Sequence, residues 1–585
     1  MSERSARIWL AALTCSAIAG CGRSNLLPGD LYAPGRPGDG GSNAGRGGTP
    51  GAAGAAVSGA SSAGSAGAAG QGGVAAGTAG SPAMICSPPL TRCPDACVDL
   101  KSDHAHCGSC DVYCGRDELC DLSECRCDVA QLAVVSHTPK RGAVAVDAGS
   151  IVEVNFNCTY VSSSAGSSGA IMYGDLSGAI GNDFPTPHAA HQLWLDPLPR
   201  GPRLVPYFAG ERVTTLLHSS LAGPGVSFRS FLWQFSAAVS ARSPGQFREG
   251  AADVTALGNA RVSAFGDVDG DGDLDVVARG AESLVLLRSR GDATFDAPEV
   301  LLGYGMPLLG DADNDGDLDL WNGDQILLNG GQGQLTPGST AQGCVVLADV
   351  DGDADLDCLA HTSYGGNQKM FGHVLFNDGG QLQAGPETPF GFECDVADLD
   401  ADGDLDAICV SPVAEAARVF FNDGVGGFAR AEQVLGEVGA RGIALGDVDG
   451  DNDVDVVVSQ WKGAGKPAPN QVFLNDGRGV FRSGETIGSD GASISLGDID
   501  GDGALDALFS ELTAYGPSHG PYNPISIYQN DGKGRFSRSM RTLGDPAVHW
   551  FRLGDLDDDG DLDAFVFHQL ATSDHYSAVW LNATD

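Results

Sequence analysis

Asp267-Val268-Asp269-Gly270-Asp271-Gly272-Asp273-Leu274-Asp275 is the stretch that decides the fold of this 585-residue chain. Acids occupy every second position of nine. The pattern recurs from Asp311, Asp349, Asp398, Asp447, Asp498 and Asp555, at intervals of 44, 38, 49, 49, 51 and 57 residues. A self-similar period of this size is the signature of a repeat architecture.

The spacing dictates the chemistry. A hard divalent cation takes about six to eight oxygens. Carboxylates at positions 1, 3, 5 and 9 and a main-chain oxygen at position 7 can surround one. The candidate ligands of the first loop are Asp267, Asp269, Asp271, Asp273 and Asp275. The second offers Asp311, Asp313, Asp315, Asp317 and Asp319, and the third Asp349, Asp351, Asp353, Asp355 and Asp357. The fourth offers Asp398, Asp400, Asp402, Asp404 and Asp406, and the fifth Asp447, Asp449, Asp451, Asp453 and Asp455. The sixth has Asp498, Asp500, Asp502, Ala504 and Asp506, and the seventh Asp555, Asp557, Asp559, Asp561 and Asp563. Ala504 at position 7 fits a main-chain contribution there. Position 6 is Gly except at Ala354 and Asn452. A sharp bend suits Gly, Asn tolerates it, and Ala does so less readily, so the third site is the weakest.

An EF-hand closes with Glu at position 12 between helices. Here the last acid is at position 9 and opens strand-like runs such as Val276-Val277-Ala278 and Val456-Val457-Val458. Each loop therefore sits in a β-hairpin. A second landmark follows in each unit, an apolar run ending in Asn-Asp-Gly or similar, as in Val472-Phe473-Leu474-Asn475-Asp476-Gly477. Such turns suit tight hairpins. The unit is four antiparallel strands, one blade of a propeller. Gly245-Gln246-Phe247-Arg248-Glu249 matches Gly534-Arg535-Phe536-Ser537-Arg538 but precedes the first full unit, so it is expected to supply the fourth strand of the last blade. Cys344 and Cys358 flank the third loop and Cys394 and Cys409 the fourth, where each pair can bridge one hairpin.

These loops resemble the FG-GAP/VCBS repeat family of integrin-α-like seven-bladed β-propellers. The resemblance covers residues 244–585. It implies calcium in the loops, up to seven ions, and ligand recognition more often than catalysis.

The rest of the chain reads as an exported protein. Residues 1–21 have a short basic start, an apolar run from Ile8 to Ala19, and Ile18-Ala19-Gly20-Cys21, which resembles a lipobox with Cys21 as the lipid-modified residue. The apolar run is too short to span a bilayer. Residues 22–85, rich in Gly, Ala and Ser, read as a disordered tether. Nine Cys between Cys86 and Cys127 predict a disulfide module over 86–128, with Cys158 as partner for the odd thiol. Residues 130–241 alternate at period two, as in Ile151-Val152-Glu153-Val154-Asn155-Phe156, and resemble an SbsA-type Ig-like β-sandwich. His188 and His191 lie beside Pro185 and Pro187, which disfavours a metal-binding helix.

The expected fold class is mainly β. With 76 acids against 34 bases and a net charge of −42, nucleic-acid binding is excluded on charge. The expected function is a calcium-binding surface lipoprotein of the bacterial envelope that recognises a protein or glycan ligand. It is not expected to be an enzyme. The alternatives are an exported hydrolase or lyase on a propeller scaffold and a passive envelope component. Gly516-Pro517-Ser518-His519-Gly520 matches a nucleophile motif but lies in a Pro- and Gly-rich insertion, and Arg290-Gly291-Asp292 falls on a tight turn. Trp461, Tyr515, Tyr522 and His519 lie in long connections as candidate ligand contacts.

Overall fold

Val276, Val277 and Ala278 are all fully buried. A strand with no polar face must be covered on both sides, and this one is an inner strand of a four-stranded antiparallel sheet. The computed structural model describes residues 91–92, 97–101, 118–121, 124–127 and most of 131–582, the longest breaks there being 158–168 and 512–523. Cys21, the tether and the cysteine pairing expected within 86–128 lie outside the described residues, as do Cys158, His191, Tyr515, Tyr522 and the Gly516–Gly520 motif. Among the described residues there is no α-helix, only a 3-10 turn at Ser219–Leu221.

Seven four-stranded antiparallel sheets follow one another along the chain. In each, the acidic loop joins the first strand to the second, and its ninth residue opens the second strand. Asp275–Arg279, Asp406–Val410 and Asp455–Gln460 are examples. The seventh sheet takes its outer strand from Phe247–Glu249, which pairs with the strand Tyr576–Asn582 in the register Phe247↔Asn582, Arg248↔Leu581, Glu249↔Trp580. This is the strand exchange read from the sequence. Neighbouring sheets touch through their first strands. The seventh packs on the first, with Phe565 edge-on to Phe265 and Phe295, and Ala293 N–H donating to Leu556 O at 2.9 Å. The array therefore closes on itself, propeller-like. Outer strands are mostly exposed and carry bulges, as at Ala429–Leu435 and Phe536–Leu543, which blunts edges that would otherwise template aggregation. Disulfides join Cys344 to Cys358 and Cys394 to Cys409 across the first hairpins of sheets three and four, as expected.

Residues 131–241 form a seven-stranded sheet. Gly178–Ala189 is its longest strand. Its start pairs with Ala170–Gly174 and its later part with Gln192–Leu198. The two halves share one core: Val152, Val154, Phe156, Leu193 and Leu195 meet Met172, Val213, Trp233 and Phe235. The period-two reading is observed directly, since Val152, Val154 and Phe156 are buried while Glu153 and Asn155 are half-buried. His188 lies in a strand, not a helix.

One residue per sheet ties the array together. The buried turn residues Asn329, Asn377, Asn422, Asn475, Asn530 and Asn582 each donate Nδ2–H to the carbonyl of the second loop residue of the preceding sheet. The acceptors are Val268, Ala312, Val350, Leu399, Val448 and Ile499, at 2.6 to 2.8 Å. In the fourth, fifth and sixth sheets the same carbonyl also accepts a backbone N–H, from Gly426, Gly479 and Gly534; the first sheet has Ser289 in place of Asn, and there Ala293 N–H donates to the Leu556 carbonyl. Asn475 also donates to Val454 O at 3.1 Å. Replacing Asn475 with Ala takes one of two donors from Leu399 O, which keeps the Gly479 N–H at 2.9 Å, and the side-chain donor from Val454 O, so a loss of about 1 kcal/mol is expected, read as a lower urea midpoint. An unchanged midpoint contradicts the tying role.

Candidate metal centre

Each loop is shaped by its own carboxylates. Position 1 accepts the N–H of position 6: Gly272 to Asp267 at 3.1 Å, Gly316 to Asp311 at 2.9 Å, Ala354 to Asp349 at 3.1 Å, Asn452 to Asp447 at 2.8 Å, Gly503 to Asp498 at 2.9 Å and Gly560 to Asp555 at 3.0 Å. Position 5 accepts the N–H of position 7, as Asp273 donates to Asp271 and Asp453 to Asp451. The other loops repeat this at Asp315, Asp353, Asp402, Asp502 and Asp559.

These bonds bend the backbone into the left-handed region twice per loop. Position 6 has φ between 69° and 102° in all seven copies, including Ala354 at 83°. The third loop thus keeps the common shape despite its Ala. Position 4 is left-handed too, in Gly270, Gly352, Gly450 and Gly501 but also in Asn314, Ala401 and Asp558. Position 4 went unnoticed in the sequence because Gly occupies it only four times.

Position 3 is left with an unanswered oxygen in every loop. Oδ1 of Asp269, Asp313, Asp351, Asp400, Asp449, Asp500 and Asp557 is buried and meets no hydrogen-bond donor. A buried acceptor without a partner is costly. In the first three loops a carboxylate oxygen of position 3 converges with one each from positions 1 and 5, all within 4.8 Å of one another (Asp267-Asp269-Asp271, Asp311-Asp313-Asp315 and Asp349-Asp351-Asp353). In the fourth and fifth the convergent set is positions 1, 3 and 9 (Asp398-Asp400-Asp406 and Asp447-Asp449-Asp455). An all-oxygen donor set with one unsatisfied acceptor suits a hard divalent cation. The second oxygen of position 3 is positioned from outside in three loops: Arg288 holds Asp269 at 2.8 Å, Gln529 holds Asp500 at 2.7 Å and Arg482 reaches Asp449 at 3.4 Å.

Positions 7 and 9 also make contacts within the protein. The side chains of Asp273, Asp317, Asp404 and Asp453 lie against turn glycines Gly291, Gly331, Gly424 and Gly477, where a Cβ would meet a carboxylate oxygen at 2.5 to 2.6 Å. Gly379 N–H donates to Asp355 at 3.0 Å. Ala504 faces Gly532 in the same way, with no carboxylate. Position 9 is also a brace. Asp275 accepts Val268 N–H at 3.0 Å and Ser289 N–H at 2.8 Å, and Asp319, Asp357, Asp406, Asp455 and Asp563 accept the equivalent pair. Asp506 accepts Asn530 N–H, and its Oδ2 is buried without a donor. The turn Asn thus touches two loops. Its N–H bonds position 9 of its own sheet and its side chain the loop before. Sequence reasoning found the turn but not this role.

Burial pushes the carboxylates upward against the pull of these N–H groups. Asp275, Asp357, Asp406, Asp455, Asp506 and Asp563 are raised to about 8, and Asp319 to about 7. Asp311, Asp349 and Asp555 rise to about 7, whereas Asp398 reaches only about 6 because the Arg141 guanidinium opposes its burial. The loops resist ionising together in the absence of a counter-charge.

The 131–241 sheet domain and the segment after it lie on the loops. Leu176 O accepts Asp267 N–H at 3.2 Å, Ser230 Oγ donates to Gly352 O at 2.7 Å and Leu232 N–H to Gly403 O at 2.9 Å. Ser240 N–H donates to Gly560 O at 2.6 Å and Ser243 Oγ to Ile499 O at 2.7 Å. Gly178 packs on Leu318 and Gly142 on Asn452. Arg212 joins Asp175 and Asp395 at 3.0 and 2.9 Å. Among the other sequence candidates, Trp461 is half-buried under the Arg441 guanidinium at 4.3 Å. Arg290-Gly291-Asp292 is a turn in which Arg290 pairs with Asp296 at 2.5 Å and Gly291 packs on Asp273.

Comparison with known proteins places FG-GAP-like repeats at residues 267–321 and 398–458. No curated protein sequence matches the chain. Among solved structures, an Agrocybe aegerita lectin described as recognising non-reducing terminal N-acetylglucosamine is similar over 71% of this chain and 98% of its own. The identity is 17% and the TM-score 0.34. A rhamnogalacturonan lyase, YesX, is similar over 75% of this chain and 74% of its own, at 13% identity and TM-score 0.26. AofleA from Arthrobotrys oligospora, in a mutant form, covers 59% of this chain and 94% of its own, at 12% identity and TM-score 0.29. At these scores the likenesses carry no functional reading. The chain carries FG-GAP-like repeats within a mainly β, propeller-like array of four-stranded sheets.

Proposed function

We propose that this chain is an exported calcium-binding surface lipoprotein that recognises a protein or glycan ligand through a seven-bladed β-propeller. In this reading Cys21 carries the lipid, residues 22–85 are the tether, and the 86–128 module and an Ig-like 130–241 domain raise the propeller from the membrane. It works by binding, without turnover. The observation that carries the metal assignment is the buried, donor-less oxygen at position 3, repeated in all seven loops. Disulfides in two sheets support an oxidising compartment. Among the described residues no helix is long and apolar enough to cross a membrane.

The loop end of the sheets is taken up by the chain's own sheet domain. The recognition surface is therefore assigned to the opposite end, where Tyr364, Val410, Gln460, Glu511 and His568 end their second strands. Calcium serves as scaffold, holding the blades so that this surface is rigid. Screening the purified chain on glycan and protein arrays, with calcium and with chelator, tests the reading. A ligand retained only with calcium is expected. Polymer turnover without stable binding contradicts it.

Two outcomes follow for stability. Each bound ion adds about 2.7 kcal/mol at a free concentration one hundred times its dissociation constant, so excess chelator lowers the melting temperature sharply. An unchanged melting curve would falsify the metal assignment. The sign of the pH dependence also differs between the two states. Raised carboxylates contribute stability that is complete below about pH 4 and lost as the pH climbs through about 7 to 8. In chelator the melting temperature is therefore higher at pH 5 than at pH 8. In saturating calcium the order reverses, because the ion binds ionised carboxylates. The same order in both buffers contradicts the account.

A further inference from the structure

The fourth loop differs from the others in what touches it. Arg141 leaves the turn after the strand Val134–Thr138 with its side chain 15% exposed. Its Nη1 donates to Asp398 Oδ2, at position 1 of loop four, at 3.2 Å, and its Nη2 to Asp453 Oδ1 of loop five at 3.1 Å. The turn is held in place. Gly142 is left-handed, donates its N–H to Gln234 O at 2.8 Å, and sits where a Cβ would meet Asn452 O at 3.1 Å. Arg229, from the same sheet domain, reaches Asp402 Oδ2 at position 5 at 3.7 Å and pairs with Asp404 at position 7. Phe231 covers Gly403, and Leu232 donates to the Gly403 carbonyl.

Two guanidinium groups therefore lie on the carboxylates of positions 1, 5 and 7. Together they bring the formal charge of one divalent ion. Neither can be deprotonated in a protein. Among the described ion pairs, none places a guanidinium on position 1 or position 5 of loops two, three, five, six or seven. Arg288 and Arg482 touch only position 3, through Oδ2, and leave the buried Oδ1 without a donor. In loops one to three position 5 joins the convergent set, whereas Asp402 of loop four is paired with Arg229 instead. Loop five shares the 1-3-9 set of loop four, but Arg141 touches it only at position 7. A divalent ion entering loop four would meet like charge on two sides and would have to displace both arginines.

Resting on the calcium reading above, we propose that loop four takes the guanidinium groups of Arg141 and Arg229 in place of a divalent cation. The ring then holds six ions, not seven, and loop four is the cation-independent seat of the 131–241 sheet domain. The test is native mass spectrometry of the full chain equilibrated with calcium chloride. Six calcium ions are expected for the wild type and seven for the double variant Arg141→Gln/Arg229→Gln. Seven in the wild type overturns the proposal while leaving the calcium reading intact, and six in both proteins overturns it as well. None in the wild type removes the calcium reading itself. Should the double variant not fold, single changes within the loops decide. Asp449→Asn in loop five is expected to give five ions and Asp400→Asn in loop four to leave six; a drop to five with Asp400→Asn overturns the proposal.

Discussion

Carboxylates spaced two residues apart on a half-buried turn resist ionising together without a counter-charge among them. That constraint organises this protein. Each loop uses positions 1 and 5 to cap its own backbone and position 9 to brace the turn beyond it, which leaves position 3 aimed inward with an oxygen that no protein group answers. A cation supplied there removes the repulsion and satisfies the acceptor in one step.

The same loops carry the connection between sheets. Position 9 holds the backbone of the turn Asn, and that Asn holds the second carbonyl of the loop before it. Tension or disorder in one loop is thus passed to its neighbour through two hydrogen bonds rather than through the apolar core alone. The core closes the circle where the ends of the array meet, with Phe565 between Phe265 and Phe295. The sheet domain uses the loops as a floor, and Leu216 and Leu232 share a core with Val350, Leu359 and Leu405. The acidic end is therefore covered by the chain's own sheet domain.

Local, repeated features were legible in the sequence. The loops, the hairpins around them and the two disulfides are all fixed by residues within about twenty positions, and seven copies in register make chance untenable. The strand Phe247–Glu249 was found because it copies a motif. Features that join distant residues were not legible. The Asn side chains reach 61 to 83 residues back along the chain, and an Asn in a turn already has a sufficient local explanation. Asp at position 9 reads as a ligand in a row of identical acids, and only the positions of the N–H groups show that it is a brace as well. The left-handed residues at position 4 were hidden by Asn314, Ala401 and Asp558. The seat of the sheet domain on the loops rests on Leu176, Ser230, Leu232 and Ser240, which form no pattern at all.

The most direct measurement is an anomalous difference map from crystals grown with calcium. Peaks within about 2.3 to 2.6 Å of the position 3 Oδ1 atoms, at Asp269, Asp313, Asp351, Asp449, Asp500 and Asp557, are the predicted result. No anomalous density at any of these six, with the loops keeping this shape, would contradict it.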